Sequence, residues 1–171
     1  MKLIRRLAKK LSTLKQFVGF VMAEVVLDRG VDGSTLKILS SKKNLAVIET
    51  ADAGLRLTVK LLKADGGAAE KIFASAPRGV PWKKFSASEV EEFIRDVDDD
   101  NEIHHGARPI VPGFLIVEAL LNDRRLIERK KIRLRFKHFT TVDENLYLTF
   151  DGGQFYVDAD ERKIDGWILD N

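Results

Sequence analysis

The feature that most constrains this chain is a plan that occurs twice: a helix-forming apolar stretch, then about four short strand candidates separated by turn residues. In the first half the strand candidates are Thr35–Ser40, Leu45–Thr50, Leu55–Leu62 and Glu70–Ala74. Ser41–Asn44, Asp52–Gly54 and Asp65–Ala68 separate them. In the second half they are Lys131–His138, Asn145–Phe150, Gln154–Asp158 and Lys163–Leu169, with a tight-turn signal at Asp151-Gly152-Gly153. Short runs broken by such turns predict antiparallel meanders. Leu3, Ile4, Leu7, Leu11, Leu14, Val18, Val21, Met22 and Val25 recur at helical spacing, which predicts one amphipathic helix over 3–27 facing a core. Phe114 to about Asn122 is nearly all apolar and predicts a second, buried helix. Between them, Ser86 or Ser88 can cap a helix ending near Val97, with Glu91 and Glu92 in its first turn.

The halves align locally as well. GFVMAEVVLD (Gly19–Asp28) lies opposite GFLIVEALLN (Gly113–Asn122), with Gly, Phe, Glu and Leu in the same places. The expected organisation is therefore Met1–Pro81, an N-terminal helix with antiparallel strands, followed by Trp82–Asn171. The class is α+β.

Composition excludes some chemistry. No cysteine is present, so disulfides, thiolate metal sites and cysteine nucleophiles are ruled out. The run FVGFVMA ends at Glu24, well short of the roughly 20 residues a spanning helix needs. A basic start before that run loosely resembles a signal peptide, but Glu24 and the long basic helix count against it. A cytoplasmic location is expected. The net charge of +3 conceals strong clustering. Residues 1–16 carry six basic side chains and no acid, 124–137 carry eight basic side chains, and Glu89–Glu102 is acidic. Basic stripes of this kind can attract an acidic protein, anionic membrane or nucleic acid, or can be plain solvated faces. No basic–aromatic interleaving accompanies them, so nucleic acid is not expected as a partner.

The densest chemistry lies in DDDNEIHHGARPIVPGFLIVEAL, Asp98–Leu120. His104 falls in a polar loop and is expected to be accessible. Glu118 falls on the apolar helix, where burial would raise a carboxyl pKa toward that of a general acid. Pro112-Gly113 opens that helix, whose first N–H groups are free to polarise a carbonyl oxygen. His104 and His105 are adjacent, a spacing at which side chains rarely converge, and no third ligand is evident, so no metal is expected.

This segment resembles the active-site block of the 3-hydroxyacyl-ACP dehydratases, H-F-P-G-x-P-x-x-P-G-x-L-x-x-E-A. His104, Pro109, Pro112, Gly113, Leu115, Glu118 and Ala119 match without a gap. His105-Gly106-Ala107 replace Phe-Pro-Gly. RFKHFTTVDENL at Arg135–Leu146 resembles the family's later F-R-R-P-V-V-P-G-D-Q-L more weakly, through Phe136 and Leu146. The segment before it is also similar to the D-x-N-P-x-H of MaoC-like hydratases, through Asp99, Asn101 and His104, with Glu102 in place of Pro. The resemblance covers about a third of the chain, and Met1–Pro81 has no counterpart in it.

Both families imply a hot-dog fold, an antiparallel sheet wrapped around a long central helix. A duplicated plan would make this chain a degenerate double hot-dog. They imply dehydration or hydration of a 3-hydroxyacyl thioester carried on the phosphopantetheine of acyl-carrier protein or on coenzyme A. No other cofactor and a homo-oligomeric assembly, usually a dimer, are expected. His104 would be the catalytic histidine under either resemblance. Its partner would be Glu118 under the first and Asp99 under the second, with Pro112 and Gly113 on the oxyanion side. A duplicated N-terminal half would place Glu24 as a stand-in for a partner's Glu118. The competing functions are a hot-dog thioesterase, a non-catalytic hot-dog subunit that binds acyl thioesters, and a surface-binding protein acting through its basic stripes.

Overall fold

The structure is a computed structural model and describes residues 2–63 and 79–170. The expected strand Glu70–Ala74 lies outside these residues.

The first helix is shorter than its apolar stripe predicts. Helix α1 (Leu3–Ser12) buries Ile4, Leu7, Ala8 and Leu11, but the chain then leaves helical geometry. A 3-10 turn at Lys15–Phe17 and Gly19, at φ +83°, lead into strand β1 (Phe20–Val31). The expected helix over 3–27 is thus a helix, a turn and a strand. Val18, Val21, Met22 and Val25 fit a 3.6-residue period by coincidence. The β-branched residues of Phe20–Val31 favour the extended backbone, and inside β1 Val25 and Leu27 alternate inward. Gly19–Asp28 and Gly113–Asn122, the aligned segments, therefore have different secondary structure.

Strands β2 (Thr35–Lys42), β3 (Leu45–Asp52) and β4 (Gly54–Lys63) complete the first meander. Strand β5 (Val80–Lys83) leads to helix α2 (Ala87–Val97). Ser86 caps α2 through a reciprocal capping box with Glu89 rather than with Glu91 or Glu92. Helix α3 (Gly113–Leu121) has nine residues, shorter than the long central helix expected, because it starts at Pro112 and ends at Asn122. Strands β6 (Lys131–Phe136), β7 (Leu146–Asp151), β8 (Gln154–Asp158) and β9 (Arg162–Ile168) follow.

The nine strands of the described residues form one antiparallel sheet in the order β2-β3-β4-β1-β6-β9-β8-β7-β5. The order holds a repeat. From the centre outward, β1-β4-β3-β2 has the connectivity of β6-β9-β8-β7, and each set follows a helix, α1 or α3. Strand β5 has no counterpart among the described residues of the first half.

The two sets join where β1 meets β6, with Glu24 opposite Arg135, Val25 opposite Leu134, Leu27 opposite Ile132 and Asp28 opposite Lys131. The apolar pairs face the core. The charged pairs face outward, with Glu24 Oε2 2.7 Å from Arg133 and 3.7 Å from Arg135, and Asp28 3.6 Å from Lys131. Both arginines also lie over the Trp167 ring, at 5.5 and 5.6 Å. Helices α1, α2 and α3 contribute to one apolar core with the sheet.

Candidate active site

His104 closes a 3-10 turn at Glu102–His104, and it is only 7 % exposed. The accessible loop histidine expected from the sequence is in fact buried, in a loop tied to Lys15 of the turn after α1 and to Phe20 of β1. Its Nδ1 lies 2.7 Å from the carbonyl oxygen of Ile110. A carbonyl has no proton to give, so Nδ1–H donates and, in the neutral ring, Nε2 keeps its lone pair. Nε2 lies 3.5 Å from Asp99 Oδ2. Burial lowers the pKa of His104 below that of an ordinary histidine, with His105 adding a little; the Asp99 charge and the Ile110 hydrogen bond offset this only in part. The ring is therefore neutral at neutral pH and able to act as a base.

Asp99 is held in turn. Its Oδ1 accepts from the backbone N–H of Asn101 at 3.0 Å, and the buried Asn101 side chain donates to the Phe20 carbonyl at 3.0 Å. Asp98, in the left-handed conformation at φ 55°, ends α2 and turns Asp99 toward His104. The D-x-N-x-x-H spacing thus has a physical use. One residue supplies the carboxylate, the next but one anchors the loop to β1, and the last presents imidazole to the carboxylate.

A cavity of about 460 Å³ lies beside this pair, of a size that suits a small organic ligand. Asp99, Asn101, His104, Pro112 and Gly113 line it, together with apolar side chains of α1, α2 and β1. Gly113 is the first residue of α3, and no described residue accepts from its N–H. Its missing Cβ also matters, since one built there would lie 3.1 Å from Met22 Cβ and Sδ. Residues Ala8–Met22 form much of the cavity wall, which the resemblance did not reach.

Glu118 is placed differently. It is buried on α3, as expected, but it does not line the cavity. Arg5 of α1 binds it through Nε at 3.1 Å and Nη2 at 3.4 Å, and Lys2 approaches at 2.9 Å. Arg5 also donates to Glu92 and Asp96 of α2. Burial alone would lower the Arg5 pKa, but these hydrogen bonds to Glu92, Asp96 and Glu118 override it and raise it. Glu118 is thus a carboxylate compensated by an arginine, and the structure does not bring it to His104. Glu24 is also apart, on the outward face of β1 with Arg133 and Arg135.

Much of the basic charge is likewise engaged. Lys9 reaches Asp98 and Lys15 reaches Asp100, so the basic helix is matched to the acidic stretch after it. In the second basic run Arg125 binds Asp123, Lys131 binds Asp28 and Lys137 binds Asp165. No helix among the described residues is long and apolar enough to cross a membrane, and no group of three or more His, Asp or Glu among them is placed to hold a metal ion. His138, the last residue of the expected strand Lys131–His138, lies beyond β6 and lines the cavity with Glu161 and Lys163. No local pattern marks that trio, which the loop after β6 and the start of β9 bring together.

No protein-family model matches the sequence, and no curated protein sequence matches it. Solved structures do. The chain is similar to HtdX from Mycobacterium tuberculosis, with a TM-score of 0.65 at 13% identity, covering 96% of this chain and 86% of that one. It is also similar to a MaoC-like dehydratase from Phytophthora capsici, with a TM-score of 0.52 at 15% identity, covering 91% and 70%. At these identities the likeness speaks to architecture, and the chain has the hot-dog fold.

Proposed function

We propose that this chain adds water to, or removes it from, a 3-hydroxyacyl thioester, with His104 and Asp99 as the working pair. The observation that carries this reading is the 3.5 Å separation of His104 Nε2 and Asp99 Oδ2 at the wall of a largely apolar cavity. Both groups line the cavity, where a substrate hydroxyl can donate its one proton to either acceptor. The Gly113 N–H, also on the wall, can accept the charge that develops on a thioester oxygen.

In dehydration, His104 Nε2 takes the proton from C2, and the electron pair of that bond moves toward the thioester carbonyl. The pair returns to form the C2–C3 double bond as the C3–O bond breaks. The departing hydroxyl takes a proton from the imidazolium and leaves as water, and Asp99 orients it throughout. Hydration is the reverse. The substrate is carried on either acyl-carrier protein or coenzyme A.

The test is turnover of a 2-enoyl and a 3-hydroxybutyryl thioester by wild type and His104→Ala, with product analysis. Loss of about 10²–10⁴-fold in the variant is expected. Equal rates would sink the reading. Free thiol and free acid, without hydrated or dehydrated product, would replace it with thioester hydrolysis.

A further inference from the structure

Lys163 is 5 % exposed, and a buried ammonium is costly unless charge and hydrogen bonds oppose it. Three oxygens do so. Its Nζ donates to the Phe139 carbonyl at 2.8 Å and lies 2.9 Å from Glu144 Oε1 and 3.1 Å from Glu161 Oε1. An ammonium has three N–H groups, so these oxygens match all of its donors and leave none for a ligand in the cavity that Lys163 lines. Whatever Lys163 does for the site, it does through its partners. Its own place is fixed by the sheet, since it lies in β9 and its carbonyl accepts from Lys137 N–H at 2.8 Å.

The partners lead to His104. The other oxygen of Glu144 accepts from the backbone N–H of Thr141 at 3.1 Å. Thr141 stands opposite Ile110 in an antiparallel bridge. The bonds that flank this bridge run from Val111 N–H to Thr140 O at 2.8 Å and from Val142 N–H to Pro109 O at 3.1 Å. Ile110 and Thr141 are therefore a non-hydrogen-bonded pair, whose own N–H and C=O groups point away from each other. On one side this aims Thr141 N–H at Glu144. On the other it aims the Ile110 carbonyl at His104, where it accepts from Nδ1 at 2.7 Å. The acceptor that sets the His104 tautomer is thus set by the loop opposite, and Lys163 holds that loop at both Phe139 and Glu144.

We propose that Lys163 is a positioning residue for His104. Through Glu144 and the Thr141–Ile110 pair it holds the Ile110 carbonyl in place, which keeps the ring proton on Nδ1 and leaves Nε2 as the base. The kinetic part of the proposal rests on the reaction assigned above; the part about the ring does not.

The test follows the two His104 ring nitrogens by NMR at about pH 8, where the ring is neutral. Their signals are identified by their loss in His104→Gln. In the wild type one tautomer is expected, with its proton on Nδ1. In Lys163→Met the two nitrogen shifts converge as the Nε2–H tautomer becomes populated. Glu144→Gln interrupts the same path, because one of the two terminal atoms becomes a nitrogen that cannot accept, and it gives a smaller convergence. It decides the matter if Lys163→Met does not fold. Hydration of a 2-enoyl thioester by Lys163→Met falls about tenfold in kcat, the size of one neutral hydrogen bond, with KM little changed. Gly166→Ala, also in β9, is the packing control: it lowers the melting temperature and leaves the ring nitrogens and kcat as in wild type. Mixed tautomers in the wild type, wild-type ring shifts in either folded variant, or an equal convergence in Gly166→Ala overturn the proposal. A KM rise at constant kcat overturns it too, since Lys163 would then act on binding. A wild type that hydrates no thioester defeats the reaction assignment alone, and the ring nitrogens still decide the positioning role.

Discussion

The two halves of the sheet share a connectivity and differ in what they do with it. Strands β1–β4 and β6–β9 are wound alike, each after a helix, yet among the described residues only the second set is preceded by the candidate loop Asp99–His104, delivered by α2. The first set supplies α1, whose Arg5 neutralises Glu118 and whose Ala8 and Leu11 wall the cavity. One half has become the cover and counter-charge of the other. The lesson is that a repeated topology does not carry repeated chemistry. The acid in each aligned segment, Glu24 or Glu118, ends in an ion pair on a different kind of element.

This division of labour can be broken in four ways. The largest effect is expected from paired substitutions across the halves: His104→Ala loses about 10²–10⁴-fold in kcat/KM, while Glu24→Gln keeps wild-type turnover. A loss in Glu24→Gln with its melting temperature unchanged would return that residue to the site. Arg5→Met leaves Glu118 buried and poorly compensated, and is expected to cost about 3–5 kcal/mol in denaturant unfolding. Arg5→Met with Glu118→Leu should recover most of that cost, which would make the helix contact structural rather than catalytic. Gly166→Ala in β9 would set a Cβ 2.3 Å from the Phe155 ring and should cost about 1–3 kcal/mol, a probe of packing confined to the second half.

The smallest effect is a shift along the pH axis. Burial lowers the His104 pKa, so the acid limb of kcat/KM should lie below the ordinary histidine value of about 6.5. The Asp99 charge raises that pKa, so Asp99→Asn should move the limb further down. Stability follows the same sign. The folded state favours the neutral ring, so its contribution is full above about 6.5 and is lost as pH falls through the lower folded value. His104→Gln should lack that loss in pH-dependent unfolding.

The meanders were legible because turn residues punctuate them: seven of the eight expected strands lie within a few residues of their expected bounds, the eighth lies outside the described residues, and β1 and β5 were not expected. The α1–β1 boundary was not, since Val18, Val21, Met22 and Val25 satisfy either period and pairing with β4 and β6 makes that stretch a strand. At the site, His104 was readable through both family resemblances, and Asp99 through the likeness to the D-x-N-P-x-H motif. The burial of His104 was not, because its loop is held against Lys15 and Phe20, far away in sequence. Glu118 was correctly expected to be buried, but Arg5 lies 113 residues away and nothing local announces it. His138, Glu161 and Lys163 were unreadable for the same reason: their meeting is a product of the fold.

The joint between β1 and β6 has one more implication. Its outward ladder is acidic on one strand, at Glu24 and Asp28, and basic on the other, at Lys131, Arg133 and Arg135. The two strands therefore read each other as lock and key by sign alone. A β1 laid antiparallel on another β1 would set acid near acid, and a β6 on a β6 base near base, so the central seam discriminates against exchange between like halves of neighbouring molecules.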